Sequence, residues 1–261
     1  MEVQVERLQG PDAGIVLVGL ARPEAKNALG RQLLAEFREA LAALNSDPSV
    51  RVVVVHSLVA GVFCAGADLK ERAGMSQAEA SAFVQGIRAS FSDLERLPMP
   101  VIAAMEGAAF GGGLELALAA DLRVAGAEAK MGLVETALAI IPGGGGTQRL
   151  PRLIGAAQAK ELIFTARRLG AEEAGRLGLV DRVVPAGQAL EVALGLAREI
   201  LPNGPVAVRM AKQAINQGQD LDLVDGLALE EACYARVIPT EDRLEGLAAF
   251  REKRKPQYKG R

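Results

Sequence analysis

Residues 101–116 read Val101-Ile102-Ala103-Ala104-Met105-Glu106-Gly107-Ala108-Ala109-Phe110-Gly111-Gly112-Gly113-Leu114-Glu115-Leu116. Pro98 and Pro100 end a preceding helical pattern, so Val101–Met105 begins as a short, continuously apolar run, which predicts a buried strand. The three glycines then open a helix through Ala120, and Leu122-Arg123-Val124 predicts another strand. Strand, loop, helix and strand in this order indicate an α/β core.

The same alternation extends outward. Ile15–Val18 reads as a strand, and Leu29, Leu33, Leu34, Phe37, Leu41 and Leu44 mark one face of a helix. Val52–Val55, within the run Arg51–His56, is β-branched throughout, as in a strand covered on both faces. A polar-faced helix is predicted from about Ser76 to Leu97. Beyond Gly146 the character changes: 146–154, 156–164, 171–177, 187–200, 204–217, 221–237 and 240–250 all read helical, with one strand in Leu179–Val184. Leu201-Pro202-Asn203-Gly204-Pro205 reads as a turn, which divides the chain into a core over 1–200 and a helical region over 201–261.

Composition narrows the function. A chain of 261 residues, half of them hydrophobic, can build a large core, yet no apolar run is long and charge-free enough to span a bilayer. The net charge of -2 supplies no general attraction for polyanions, and the scarcity of aromatic residues disfavours base stacking. Two cysteines, Cys64 and Cys233, form no disulfide framework, which fits a reducing compartment. No cluster has metal-ligand spacing, so no metal is expected. The only histidine, His56, lies in a strand pattern, which argues against a Cys64–His56 dyad. No Gly-x-Ser-x-Gly elbow occurs.

Glu115 and Glu135 are the candidate chemistry. Each stands near small, backbone-exposing sequence: Gly111–Gly113 beside Glu115, and Pro142-Gly143-Gly144-Gly145-Gly146 shortly after Glu135. Two carboxylates can divide general-base and general-acid work on a carbonyl compound, while bare N–H groups hold the oxyanion that develops. Glu115 belongs to an otherwise apolar helix, where a carboxylate is costly unless it is paired or used. Glu135 has no such local signal, and a solvated side chain is its bland reading. The glycine runs, and the small residues of Val62–Leu69, serve equally well for close packing or for holding a ligand.

Four segments in order resemble the crotonase (enoyl-CoA hydratase/isomerase) superfamily: Arg22-Pro23-Glu24-Ala25-Lys26-Asn27-Ala28-Leu29, Phe63–Lys70, Ala109–Leu116 and Pro142–Leu150. The resemblance covers essentially the whole chain. It implies a spiral of ββα units with a helical C-terminal region that builds homotrimers, often paired as hexamers. By position it implies an oxyanion hole from the N–H groups of Ala67 and Gly112, catalysis by Glu115 and Glu135, and water held with help from the N–H of Gly143. Ala25, Lys26, Ala65, Asp68 and Leu69 would border coenzyme A, mostly through backbone. Phe250 and Lys253 match tail positions brought to the coenzyme A end. No separate cofactor is implied, because coenzyme A is part of the acyl-CoA substrate.

Within the superfamily the text is most similar to the methylglutaconyl-CoA hydratase group, which includes an AU-rich-RNA-binding member. Both carboxylates are present, so hydration of a 2-enoyl-CoA is the expected reaction, with 3-methylglutaconyl-CoA as candidate substrate. A broad short-chain hydratase or an isomerase using Glu135 alone are the alternatives. RNA binding is disfavoured, because the lysine-rich helix of that member is replaced here by Ser76–Leu97, with only Arg88 and Arg96 against Glu79, Asp93 and Glu95. An oligomer could still gather charge from elsewhere. The expected location is the cytoplasm for a bacterial chain, or the mitochondrial matrix for a eukaryotic one with its presequence removed.

Overall fold

A computed structural model describes all of residues 1–261. The strands are β1 (Val3–Arg7), β2 (Ile15–Leu20), β3 (Val52–Ser57), β4 (Val62–Cys64), β5 (Val101–Met105), β6 (Ala108–Phe110), β7 (Leu122–Gly126), β8 (Lys130–Gly132), β9 (Leu169–Gly170) and β10 (Arg182–Val184). They form two sheets: a six-stranded one in the order β1-β2-β3-β5-β7-β10 and a four-stranded one in the order β4-β6-β8-β9. All neighbours in the larger sheet are parallel except β1 and β2.

The connectivity is a spiral. β3 and β4, β5 and β6, and β7 and β8 each place one strand in the large sheet and the next in the small one. Helices Gln77–Glu95 and Gly112–Leu118 carry the chain from one pair to the next. This is the α/β spiral of ββα units implied by the resemblance. The valine run is covered on both sides, as its composition requires: Val52 through Val55 are all at most 1% exposed.

Local signals set the helix boundaries. Ser76 caps Gln77–Glu95 in a capping box: its hydroxyl accepts from Glu79 N, and the Glu79 carboxylate accepts from Ser76 N at 2.9 Å. Asp222 and Thr240 cap Leu223–Val237 and Glu241–Glu252 in the same general way. From Pro205 to Glu252 the chain is helical apart from short turns, and Pro205–Gly218 is tied to the core by Lys212 Nζ, which contacts Asp121 Oδ2 at 2.7 Å and donates to Met99 O at 2.9 Å. No helix is long and apolar enough to cross a membrane.

The small sheet is the part of the architecture that carries no periodic signal in the sequence. β4, β6 and β8 are three residues each, and β9 two. Strands this short show no alternation to read. They nevertheless deliver the chain to the site, since β4 leads into Ala65–Asp68, β6 into Gly111 and β8 towards Glu135.

Candidate active site

Gly111 begins the site. It continues β6 with φ 52° and ψ −123°, a conformation that favours glycine, and so turns the chain at once into helix Gly112–Leu118. Glu115 lies in the first turn of that helix and is only 3% exposed. Its Oε1 accepts hydrogen bonds from Gly144 N at 2.8 Å and Gly146 N at 2.7 Å. Burial pushes its carboxyl above the ordinary value, while the two N–H groups, then Arg149 and Arg88, pull the other way. Oε2 receives no hydrogen bond from the protein and is the oxygen left for a ligand.

The loop that cradles Glu115 is itself clamped. Arg88 Nε donates to Gly143 O and Arg149 Nη1 to Gly144 O, both at 3.0 Å, and Arg149 is held by two bonds to the Glu95 carboxylate. A side chain on Gly144 would meet Glu115 Oε2 and the Phe91 ring at 2.8 Å, so only glycine lets the backbone come this close.

Glu135 opens a short 3-10 turn after β8, fixed by Thr136 Oγ1 donating to Ile163 O at 2.5 Å. It is 9% exposed, and its buried Oε2 has no hydrogen-bond partner. Desolvation first, and the charge of Glu115 second, raise its carboxyl to about 7. Glu135 Oε1 lies 3.1 Å from where a Cβ on Gly111 would sit, so the absence of a side chain there makes its space. The two carboxylates thus differ: one is cradled by N–H groups, the other is left bare.

Both carboxylates line one cleft of about 160 Å³, open to solvent. Its lining includes Ala65, Gly66, Ala67, Leu69, Gly111, Gly112 and Gly143, with Val84, Ile87, Leu138, Ile140 and Ile141 supplying apolar surface. Gly112 is the first residue of its helix, where an N–H has no intrahelical acceptor. Ala67 pairs with Leu29 in an isolated parallel bridge. The bonds of that bridge run from Leu29 N to Gly66 O and from Asp68 N to Leu29 O, leaving the N–H of Ala67 unspent. Ala67 N is 3.6 Å from the position of a Cβ on Gly112, so the two N–H groups belong to one corner of the cleft.

A larger groove, about 490 Å³, lies between Pro205–Gly218 and the core. Its cations are neutralised by Lys212–Asp121, Arg123–Asp181, Arg149–Glu95 and Arg152–Asp220 pairs. It offers bulk space without unpaired chemistry.

Of the residues singled out from sequence, Ala65, Ala67, Leu69, Gly112, Glu115, Glu135 and Gly143 come together on this cleft. Ala25 and Lys26 lie beside it, joined by Ala65 N donating to Lys26 O at 3.1 Å. Asp68 is different: it is 7% exposed, caps helix Leu69–Ala73 and pairs with Arg22, so its side chain faces the fold and not the cleft. Phe250 and Lys253 do not line the cleft within one chain; Phe250 is 87% exposed at the far end of the helical region. Cys64 is buried and its thiol pushed up to about 12, which suits packing and not nucleophilic attack.

Arg72 is the residue that sequence reasoning missed. It lines the cleft, is half-buried, and its guanidinium has neither an ion pair nor a hydrogen bond, unlike the paired arginines around it. Only the position of helix Leu69–Ala73 over the cleft distinguishes it from a solvated arginine.

Fold and site together define an α/β spiral enzyme with a carboxylate pair and two free N–H groups on one cleft. A model of the family described as enoyl-CoA hydratase/isomerase matches residues 10–261. The mitochondrial methylglutaconyl-CoA hydratase of Homo sapiens is 59% identical over 263 residues, 99% of this chain and 78% of that protein. Mitochondrial enoyl-CoA hydratase domain-containing protein 2 of Mus musculus is 54% identical, over 100% of this chain and 89% of its own length. The crystal structure of an enoyl-CoA hydratase from Bacillus anthracis superposes with a TM-score of 0.97 at 49% identity, covering 100% of both chains. The chain belongs to the enoyl-CoA hydratase/isomerase family.

Proposed function

We propose that this protein adds water across the C2=C3 bond of 2-enoyl-CoA thioesters, with 3-methylglutaconyl-CoA as its preferred substrate. The observation that carries the reaction is the meeting, in one cleft, of two dissimilar buried carboxylates and two unspent N–H groups. The thioester oxygen lies between Ala67 N and Gly112 N. Glu115 Oε2 takes a proton from water, with Gly143 N helping to hold that water. The water oxygen forms a bond to C3, the C2=C3 pair moves to C2 and the carbonyl oxygen, and Glu135 gives its proton to C2. Each turnover leaves Glu115 protonated and Glu135 ionised, so the pair must exchange a proton with solvent or with each other before the next.

This division of labour fixes the sign of the pH dependence. Glu135 must hold a proton and Glu115 must not. Activity therefore falls as pH rises through the Glu135 value of about 7, and falls again on the acid side as Glu115 is neutralised. A profile of kcat/KM should be bell-shaped with its alkaline limb near 7, and an alkaline plateau extending well past that point would contradict the assignment. The two limbs belong to the coupled pair.

The substrate preference rests on Arg72, an unpaired arginine and the one cationic side chain lining the cleft, which suits an acyl chain ending in a carboxylate. Arg72→Met should lower kcat/KM for 3-methylglutaconyl-CoA by about 10- to 100-fold, the worth of one charge-assisted hydrogen bond, and leave crotonyl-CoA nearly unaffected. Equal losses on both substrates, or a wild-type preference for crotonyl-CoA, would replace this reading with a general short-chain hydratase.

We also assign a homotrimer or hexamer. The helical region exposes Leu223 and Val224 at 77%, Tyr234 at 63%, Leu247 at 60% and Phe250 at 87%, a series of apolar side chains for a second copy to cover. Phe250 and Lys253 would then reach a neighbour's coenzyme A end. The RNA-binding alternative finds no support on Gln77–Glu95 and its C-cap Arg96: Arg96 pairs with Asp93, and Arg88 is spent on Gly143 O. The eukaryotic relatives are named as mitochondrial, which supports a mitochondrial place for a eukaryotic chain; we assign it to the matrix there, and to the cytoplasm for a bacterial chain.

A further inference from the structure

We propose that Arg22 is a positioning residue for the oxyanion corner: its guanidinium fixes the direction of the Ala67 N–H by gripping both sides of the bridge that carries it. The inference rests on the oxyanion reading above and extends it to a residue that touches no substrate.

The Leu29–Ala67 pairing is a single bridge with no adjoining rungs. A ladder holds its register by many bonds; a lone bridge needs something else. Arg22 supplies it. Nη1 donates to Ala28 O at 2.8 Å, immediately before Leu29, and Nη2 meets Asp68 Oδ2 at 2.9 Å, immediately after Ala67. Asp68 Oδ1 accepts from Lys70 N at 2.9 Å and Glu71 N at 3.1 Å, so the same carboxylate ties the bridge to the helix behind it.

The grip is itself framed. Arg22 N donates to Asn27 Oδ1 at 2.8 Å, and Asn27 Nδ2 donates to Phe63 O at 3.0 Å. Arg22 and Asp68 side chains are 14% and 9% exposed, which shields their contact from water. Gly30 has no side chain where a Cβ would collide with Arg22 Nη1 and the Glu71 carboxylate, so backbone and guanidinium meet directly. A planar fork presents its donors to these separate points in fixed directions; a lysine ammonium, a compact charge on a flexible stem, holds neither direction fixed.

The test uses Arg22→Lys and Asp68→Asn in the full-length protein. Asparagine can still cap Leu69–Ala73 while losing the ion pair, so this variant remains informative if the arginine variant folds poorly. The readout is the red shift in absorbance of bound para-dimethylaminocinnamoyl-CoA, whose colour reports polarisation of its thioester carbonyl, alongside kcat and KM with crotonyl-CoA. Both variants should lose most of the wild-type shift and lower kcat on the order of 10- to 100-fold, as expected of a misplaced donor, with KM changed far less. Asp181→Asn, which breaks the remote Arg123–Asp181 pair at 3.0 Å, should lower the melting temperature and keep the shift. Wild-type shift and kcat per folded molecule in both Arg22→Lys and Asp68→Asn would overturn the inference. Absence of the shift in the wild type would instead overturn the oxyanion reading, and this inference with it.

Discussion

Glu115→Gln is expected to lower the hydration kcat by about 10²- to 10⁴-fold while leaving the fold and substrate binding nearly intact. The structure makes this substitution unusually clean. Oε1 of Glu115 is the atom that accepts from Gly144 N and Gly146 N, and a glutamine carbonyl can accept the same two bonds. The amide nitrogen then takes the place of Oε2, and it cannot accept a proton from water. The buried charge disappears as well, which removes the desolvation burden that raises this carboxyl in the wild type. Melting temperature should therefore hold or rise while turnover collapses. Turnover within a few-fold of wild type would remove Glu115 from the mechanism.

The companion substitution separates a pair from two independent groups. Glu135→Gln loses the proton donor itself, and with it the group on which the Glu115 charge acts. If the two act as a unit, the double variant should be no slower than the slower single one, because either loss already stops the proton circuit. Independent action would instead multiply the two losses. The isomerase alternative predicts a different outcome: it needs Glu135 alone, so Glu115→Gln would keep double-bond migration and lose only hydration.

Large parts of this molecule were legible in its sequence because they report their own burial. Val52–Val55, Val101–Met105 and the helices 146–154 and 156–164 are continuous or periodic enough to announce their covered faces. Glu115 was legible as a carboxylate in an apolar helix, and its 3% exposure agrees with that reading. What defeated local reading was long-range pairing. The N–H groups that hold Glu115 come from residues 29 and 31 positions away, and nothing near Glu135 betrays that its Oε2 is buried without a partner. The small sheet was missed because its strands are too short to show a period. Arg72 and Asp68 make opposite points. An ordinary-looking arginine proves unpaired over the cleft, while an aspartate in a binding motif proves to serve the backbone and Arg22.

The oxyanion corner makes the second large prediction, because it depends on a group that no side-chain deletion can remove. Gly112 is the first residue of helix Gly112–Leu118, a position where proline costs the helix no hydrogen bond. Gly111 precedes it at φ 52° and ψ −123°, outside the right-handed helical region that a following proline disfavours. A Cβ at Gly112 would meet Leu29 Cδ1 at 2.8 Å, the movable end of a side chain, and this cost is shared by alanine and proline. Gly112→Ala keeps the N–H; Gly112→Pro does not, and its Cδ occupies the direction in which the hydrogen pointed. Relative to the alanine variant, the proline variant should lose at least about 10²- to 10³-fold in kcat/KM, or roughly 2.7–4 kcal/mol of transition-state stabilisation. Its bound para-dimethylaminocinnamoyl-CoA should show little red shift, which separates a lost donor from simple crowding of the pocket. Equal kcat/KM in the two variants would mean that the enolate oxygen is stabilised elsewhere, and Ala67 N would have to be reassigned with it, since the two N–H groups share one corner.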